Sequence, residues 1–222
     1  MLACTGLGKA YATERGEVEA VRGIDLDISQ GVYAAIVGRS GSGKSSLMAM
    51  IGGLSRPTKG KVRVEGTDIW ALSDSRLAAF RNHRIGFVFQ FASLLASLRI
   101  IDNVALPALL GRRADAAAVY GAAAVLLHQL GLADFADAYP SEISAGEQRR
   151  AVIARALINE PALLLADEPT SDLDEQTEIE LMDQLRALNR ERGMTLITVT
   201  HNLRLAEQAD RVLHIADGRL IS

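Results

Sequence analysis

A chain of 222 residues that is 49% hydrophobic has enough apolar material for one domain with a sizeable core, or for a core with a small subdomain. Its 24 Lys and Arg against 27 Asp and Glu leave a net charge of −3, which argues against a general polyanion-binding surface and so against nucleic acid as a partner. The single cysteine, Cys4, excludes an internal disulfide, the N-terminus lacks the long apolar core of a signal peptide, and no apolar run reaches the roughly 18 residues of a membrane span. The expectation is a soluble, cytosolic chain that can still dock on a membrane protein.

In chain order, the opening residues read as short strands, and residues 18–28 (VEAVRGIDLDI) alternate in part, as a half-buried strand does. VYAAIV (32–37) is a continuous apolar run ending in glycine, the pattern of a strand covered on both faces. A helix is expected over 44–53, then short strands at KVRVEG and RIGFVFQ (84–90). From Phe91 to about Asn159 the reading is mainly helical, with the alanine-rich AAAVYGAAAVLLHQLGL favouring helix. ALLLAD after Pro161 is a second buried strand. EQTEIELMDQLRALNRERG places Ile179, Leu181, Met182, Leu185 and Leu188 at helical spacing and ends at Gly193, a C-cap. TLITVT is a strand, NLRLAEQAD a short helix, and RVLHIADGRLIS a hairpin turning at Asp217-Gly218. Strands alternating with helices imply an α/β fold with a mostly parallel sheet, interrupted by an inserted helical subdomain over about 91–159.

Three stretches carry chemistry. Gly38, Gly43, Lys44 and Ser45 satisfy G-x-x-x-x-G-K-[ST] between an expected strand and an expected helix. Such a loop turns backbone N–H groups toward phosphates, and the helix N-terminus favours an anion. Lys44 would bridge the β- and γ-phosphates, and the Ser45 hydroxyl would coordinate Mg²⁺. A plain Gly-Ser connector is the structural alternative. LLLADEP ends an apolar strand in two carboxylates, at the edge of a parallel sheet where ligands bind. Asp167 would hold Mg²⁺, and Glu168 would polarise the attacking water; an ordinary solvated strand end is the alternative. In PSEISAGEQRRAVIARAL, Ser144 and Glu147 form a capping box that starts a helix.

With these residues in place the chain resembles the ATP-binding cassette (ABC) ATPases, whose signature L-S-G-G-Q stands here as Ile143-Ser144-Ala145-Gly146-Glu147. The other motifs of that family follow in order along essentially the whole chain. Gln90 matches its Mg²⁺- and water-contacting glutamine, and Ser171-Asp172-Leu173-Asp174 its D-loop, with Asp174 at the aspartate. His201 in VTHN matches the switch histidine that contacts the γ-phosphate, and Tyr11 the aromatic that stacks on adenine. The resemblance also assigns nucleotide contacts to Ser40, Gly41, Ser42 and Ser46, and to Ser144, Gly146 and Glu147 across a dimer. Taken singly, Gln90, His201 and Tyr11 are more often structural residues than functional ones.

The chain departs from the family pattern twice. Ala145 adds a methyl where the signature has glycine, and Glu147 brings a carboxylate toward an anion unless the capping box occupies it. Both point to slower turnover with function retained. IGFVFQFASLLASLRIIDNVALPALL, YATERGEVEAVRGIDLDI and GRSGSGKSSLM are similar to one subgroup, the ATPases of lipoprotein-releasing, macrolide-exporting and cell-division complexes.

The resemblance implies one domain over 1–222, with a P-loop NTPase (RecA-like) core, an N-terminal antiparallel β subdomain and the helical insert. It implies an ATPase using ATP and Mg²⁺, and a homodimer closing around two ATP. It also implies a separate integral membrane subunit that keeps the chain on the inner face of the cell membrane. Residues 91–110 are nearly all apolar, and Phe91, Leu94, Leu95 and Leu98 are the expected docking groove for that subunit, with about half of the stretch filling its own core. Two other classes stay open. A soluble ABC ATPase acting on DNA or ribosomes usually has a coiled-coil insertion or two cassettes, and a P-loop kinase or GTPase switch would lack the signature and D-loop.

Overall fold

The computed structural model describes residues 1–14, 16–91, 93–111, 115–171 and 173–221. The chain opens with β1 (Leu2–Thr13) and β2 (Gly16–Ile28), followed by β3 (Tyr33–Val37), α1 (Lys44–Ile51), β4 (Lys59–Val64) and β5 (Thr67–Asp68). Next come α2 (Asp74–Arg84), β6 (Ile85–Val88), α3 (Ile100–Gly111), α4 (Ala116–Gln129) and α5 (Ala145–Leu157). It closes with β7 (Leu163–Asp167), α6 (Glu175–Arg192), β8 (Thr195–Val199), α7 (Leu203–Ala206), β9 (Arg211–Ala216) and β10 (Arg219–Leu220).

Two sheets divide these strands. The first is antiparallel, in the order β2-β1-β4-β5. The second runs β10-β9-β3-β8-β7-β6, with every pair parallel except β9 with β10. This is the expected α/β architecture with an N-terminal antiparallel sheet and a helical insert. Three details differ from the sequence reading. The opening is one twelve-residue strand, β1, rather than short strands, and its register shifts let it bend along β2. Helix α2, with Asp74 in its first turn and Arg81, His83 and Arg84 in its last, was not anticipated. Residues 91 and 93–99 are not helical, so the helical block begins at Ile100.

The parallel sheet is apolar because both of its faces are covered. Along β7, Leu163 and Leu165 join the core shared with α1 and the antiparallel sheet, whereas Leu164 and Ala166 join the core under α3, α4, α5 and α6. On β8, Ile197 and Val199 go one way and Leu196 the other. That period of two turns a continuous apolar run into two interfaces. Each fully buried leucine or isoleucine contributes roughly 1.5–3 kcal/mol. Among the described residues, no helix is long and apolar enough to cross a membrane.

The segment after β6 is held by one buried amide. Asn103, on α3, is 0% exposed. Its Nδ2 donates to the carbonyls of Leu95, Leu98 and Arg99 at 3.1 Å each, and its Oδ1 accepts from the Leu95 N–H at 2.7 Å. Arg99 is tied to Asp102 at 2.8 Å and to Asp137 at 2.7 Å. Asn103→Ala should therefore lower stability by about 3 kcal/mol, because it strands buried backbone groups as well as leaving a void. Urea unfolding should show a lower midpoint at unchanged slope. A loss under about 1 kcal/mol would mean that other contacts hold the turn.

Candidate nucleotide site

The C-terminal ends of β3, β7 and β8 lie side by side, and each delivers one part of the site. Beyond β3 the chain turns through Gly38–Gly43 into α1. Gly43 is the N-cap, at φ 105 in the left-handed region, and no side chain caps the helix. A helix N-terminus left open in this way exposes N–H donors that an anion can take. Lys44 is 9% exposed, and its ammonium folds back along the loop, donating to the Gly38 carbonyl at 2.8 Å and the Arg39 carbonyl at 3.0 Å.

At the end of β7, Asp167 and Glu168 point into the same cleft. Burial pushes the Asp167 carboxyl above the usual carboxylate range, and the Glu168 charge adds to that; a hydrogen bond from Ser45 and the Lys44 charge oppose it. Glu168 adopts a left-handed backbone, φ 48, which is uncommon outside glycine and concentrates at functional sites. Its Oε2 lies 2.7 Å from His201 Nδ1, so the second residue after β8 meets the residue following β7.

These parts line one cleft of about 450 Å³, together with Gly38, Ser40, Gly41, Gly43, Ser45, Ser46 and Gln90. Small-molecule sites span roughly 300–1,000 Å³. The donor set fits a nucleoside triphosphate: backbone N–H groups, one ammonium, and carboxylates at the far wall. It also fits Mg²⁺. Among the described residues no three His, Cys, Asp or Glu side chains could hold a metal by themselves, but Ser45 already meets Asp167. Mg²⁺ takes few protein ligands and completes its shell with water and phosphate oxygens.

The remaining expected residues lie elsewhere. Ser42 is 6% exposed and lines a second cavity of about 410 Å³ between the loop and the β9–β10 hairpin; among the described residues its Oγ has no hydrogen-bond partner. Tyr11 does not line the cleft. Its hydroxyl lies 3.3 Å from Ser46 Oγ, and the Lys9 ammonium sits 5.0 Å from its ring centre.

Ser144 caps α5 in a capping box, as its spacing indicated. The Glu147 carboxylate accepts from the Ser144 N–H and from its Oγ, both at 2.7 Å. These bonds hold the Glu147 carboxyl below the usual range. Asp174 caps α6 by accepting from the Thr177 N–H at 3.0 Å and from its hydroxyl at 2.6 Å. A Cβ on Gly146 would lie 3.1 Å from the Thr177 methyl, so the two helix starts touch. Asp172 lies outside the described residues.

Of the expected docking residues, Phe91 and Leu95 are 74% and 46% exposed, Leu98 is half-buried, and Leu94 packs on the helical core. One residue central to this region carried no signal in the sequence. Arg149, merely one of two adjacent arginines, is buried behind the cleft and bonds to the segments that follow β6 and β7.

The comparisons with known proteins agree with this geometry. A family model described as ABC transporter matches residues 21–171. The chain is 45% identical to the lipoprotein-releasing system ATP-binding protein LolD of Geobacter metallireducens, over 100% of this chain and 98% of that protein. It is 43% identical to the macrolide export ATP-binding/permease protein MacB of Rhodopirellula baltica, over 98% of this chain but 32% of that longer protein. In three dimensions it superposes on the ATP-binding cassette MJ0796, solved as a dimer in a post-hydrolysis state bound to ADP and Pi. The TM-score is 0.93 at 35% identity, covering 100% of this chain and 97% of that one. Motifs, cleft, fold and relatives converge, and the chain belongs to the ABC transporter family as one of its ATPases.

Proposed function

We propose that this chain is the ATP-hydrolysing subunit of a membrane complex of the lipoprotein-releasing type, and that it works as a homodimer closed around two ATP. The observation that carries the reading is the cleft, where an open helix N-terminus and a loop-held Lys44 face Glu168 and His201. The whole chain acts as one domain, with residues of about 91–159 as its helical insert. The near full-length likeness to a lipoprotein-releasing ATPase supports an amphipathic or lipid-anchored cargo, handled by a separate integral membrane subunit. That subunit holds the chain at the inner face of the cell membrane.

In this reading the loop N–H groups and Lys44 bind the β- and γ-phosphates, with Ser40, Gly41 and Ser46 along the same cradle. Ser42 acts through its backbone and shapes the loop from behind. Ser45, Asp167 and Gln90 hold Mg²⁺, which would neutralise phosphate charge. Glu168 orients and polarises the attacking water, and His201 fixes the Glu168 carboxylate and reaches the γ-phosphate. Tyr11 supports the adenine. Ser144, Gly146 and Glu147, with Asp174 beside them, serve the ATP of the partner subunit. Ala145 keeps that helix start slightly farther from the phosphate than a glycine would.

Phe91 and Leu95 form the outer wall of the docking site, with Leu98 at its edge and Leu94 anchoring it to the helical core. Gln90 immediately precedes this wall, so a change at the phosphate is passed on along the backbone.

Glu168→Gln keeps the shape of the site and removes the charge that polarises water. Turnover should fall by about 10²–10⁴-fold, and light scattering should show a dimer in ATP and a monomer in ADP. A variant that stays monomeric at saturating ATP would contradict the closed dimer. Phe91→Asp alters an exposed side chain, so the isolated subunit should keep its ATPase activity and lose assembly with its membrane partner. Normal co-purification and transport would place the docking site elsewhere.

A further inference from the structure

Arg149 is 6% exposed, and its guanidinium bridges three separate segments. From α5, its Nη1 donates to the Phe89 carbonyl at 3.1 Å. Its Nη2 donates to the Ser171 carbonyl at 3.3 Å and to Ser171 Oγ at 3.0 Å. The Ser171 hydroxyl passes the connection on, donating to the Gln90 carbonyl at 3.3 Å. One side chain therefore joins the residue before Gln90, the turn that follows Glu168, and the helix that begins at Ser144. A second arginine of α5 reinforces the first contact. Arg155 donates to the Ser93 carbonyl at 2.7 Å and to Ser93 Oγ at 2.6 Å, so α5 holds the segment after β6 at both ends.

The chemistry suits coupling better than simple filling. A guanidinium presents its donors in a rigid planar fork, so its acceptors cannot move independently without losing a bond. Burying a charge is costly, and an apolar side chain would fill the same space without that cost. Arg149 also lies five residues from Ser144, about 7.5 Å along a helix that moves as one body.

We propose that Arg149 is a positioning residue that couples the two ATP sites of the dimer. It locks Gln90 and the Glu168 turn, which belong to the subunit's own ATP, to the helix whose Ser144 serves the partner's ATP. Filling one cleft then sets the position of the serine that completes the other. The proposal rests on the ATP-dimer reading above. It predicts that the coupling is reciprocal and is lost when the fork is removed.

The test uses the full chain with Arg149→Gln, Arg149→Lys and Ser171→Ala, and reads kcat, KM and the Hill coefficient for ATP. Wild type should show a Hill coefficient above 1. Arg149→Gln should bring it to 1 with about a tenfold drop in kcat, while ATP affinity of the monomer stays within about twofold. Arg149→Lys keeps the charge but reaches fewer acceptors, and should not restore cooperativity. Ser171→Ala is a small change with little folding risk and should act in the same direction. Combined with Arg149→Gln it should add nothing, since both break one connection. Wild-type cooperativity in Arg149→Gln or Ser171→Ala overturns the proposal. So does a loss of monomer ATP affinity equal to the loss of kcat, which marks general damage. A wild-type chain that neither hydrolyses ATP nor dimerises defeats the ABC reading itself, whereas one that does both with a Hill coefficient of 1 defeats only this inference.

Discussion

No side chain fits at Gly38 or Gly43. A methyl on Gly38 would collide with the Ile215 carbonyl on β9, and one on Gly43 with the Ala20 carbonyl on β2. The phosphate loop is wedged between the parallel sheet and the antiparallel sheet, close enough that only backbone separates them. Ser42 strengthens the wedge, since its carbonyl accepts from the Gly218 N–H at 3.0 Å and the Gly218 carbonyl accepts from the Arg22 N–H at 2.8 Å. With its outer side occupied, the loop can turn its remaining donors only into the cleft. The two sheets have to sit where they do for the loop to take this shape, and β2 of the antiparallel sheet packs against β10 of the parallel one beside it.

The loop also holds its own cation. Two of the three donors of Lys44 are used by carbonyls of the loop. The ammonium is thus placed before any phosphate arrives, which removes much of the reorganisation that a mobile lysine would need. The far wall is arranged differently. Asp167 and Glu168 are neighbours in a partly buried position; burial raises the Asp167 carboxyl, and the Glu168 charge adds to it. Glu168 relieves part of its own charge on His201, while Lys44 and Ser45 temper Asp167. The cleft thus carries an ammonium and two carboxylates, each already engaged by neighbours.

Much of this was legible in the sequence where local chemistry decides the structure. The phosphate loop, the acidic end of β7 and the Ser144 capping box each depend on residues within a few positions of one another, and each lies where its spacing indicated. The buried strands were readable because apolar runs of five or six residues bounded by Gly, Pro or Asp have few other uses. What was not legible depended on distant partners. Helix α2 has weak periodicity and is set by β6 and the loop after α1. Ser42 lines the cavity beside a hairpin more than 170 residues later rather than the cleft. Arg149 looks like a solvated arginine until the ends of β6 and β7 close around it. Asn103 likewise gains its importance only when residues 95–99 fold back onto α3.

The two helix N-termini to which the proposed mechanism gives contacts with ATP are built in opposite ways. Helix α1 begins at Gly43 with no capping side chain and no acid in its first turn, so its donors remain available. Helix α5 begins with Ser144 and Glu147 satisfying each other completely, the hydroxyl and N–H of the serine both given to one carboxylate. An anion is therefore welcomed at α1 and must compete at α5. In a dimer the γ-phosphate would have to draw the Ser144 hydroxyl away from Glu147 and tolerate that carboxylate nearby. In the proposed dimer the cost would fall on closure rather than on nucleotide binding, because only closure would bring α5 to the phosphate. In that dimer the methyl of Ala145 would act in the same direction. On the proposed mechanism, each subunit would take up ATP more readily than the dimer would close around it. In the proposed complex, a membrane partner pressing on the segment held by Arg149 and Arg155 would help closure and raise turnover above that of the isolated chain.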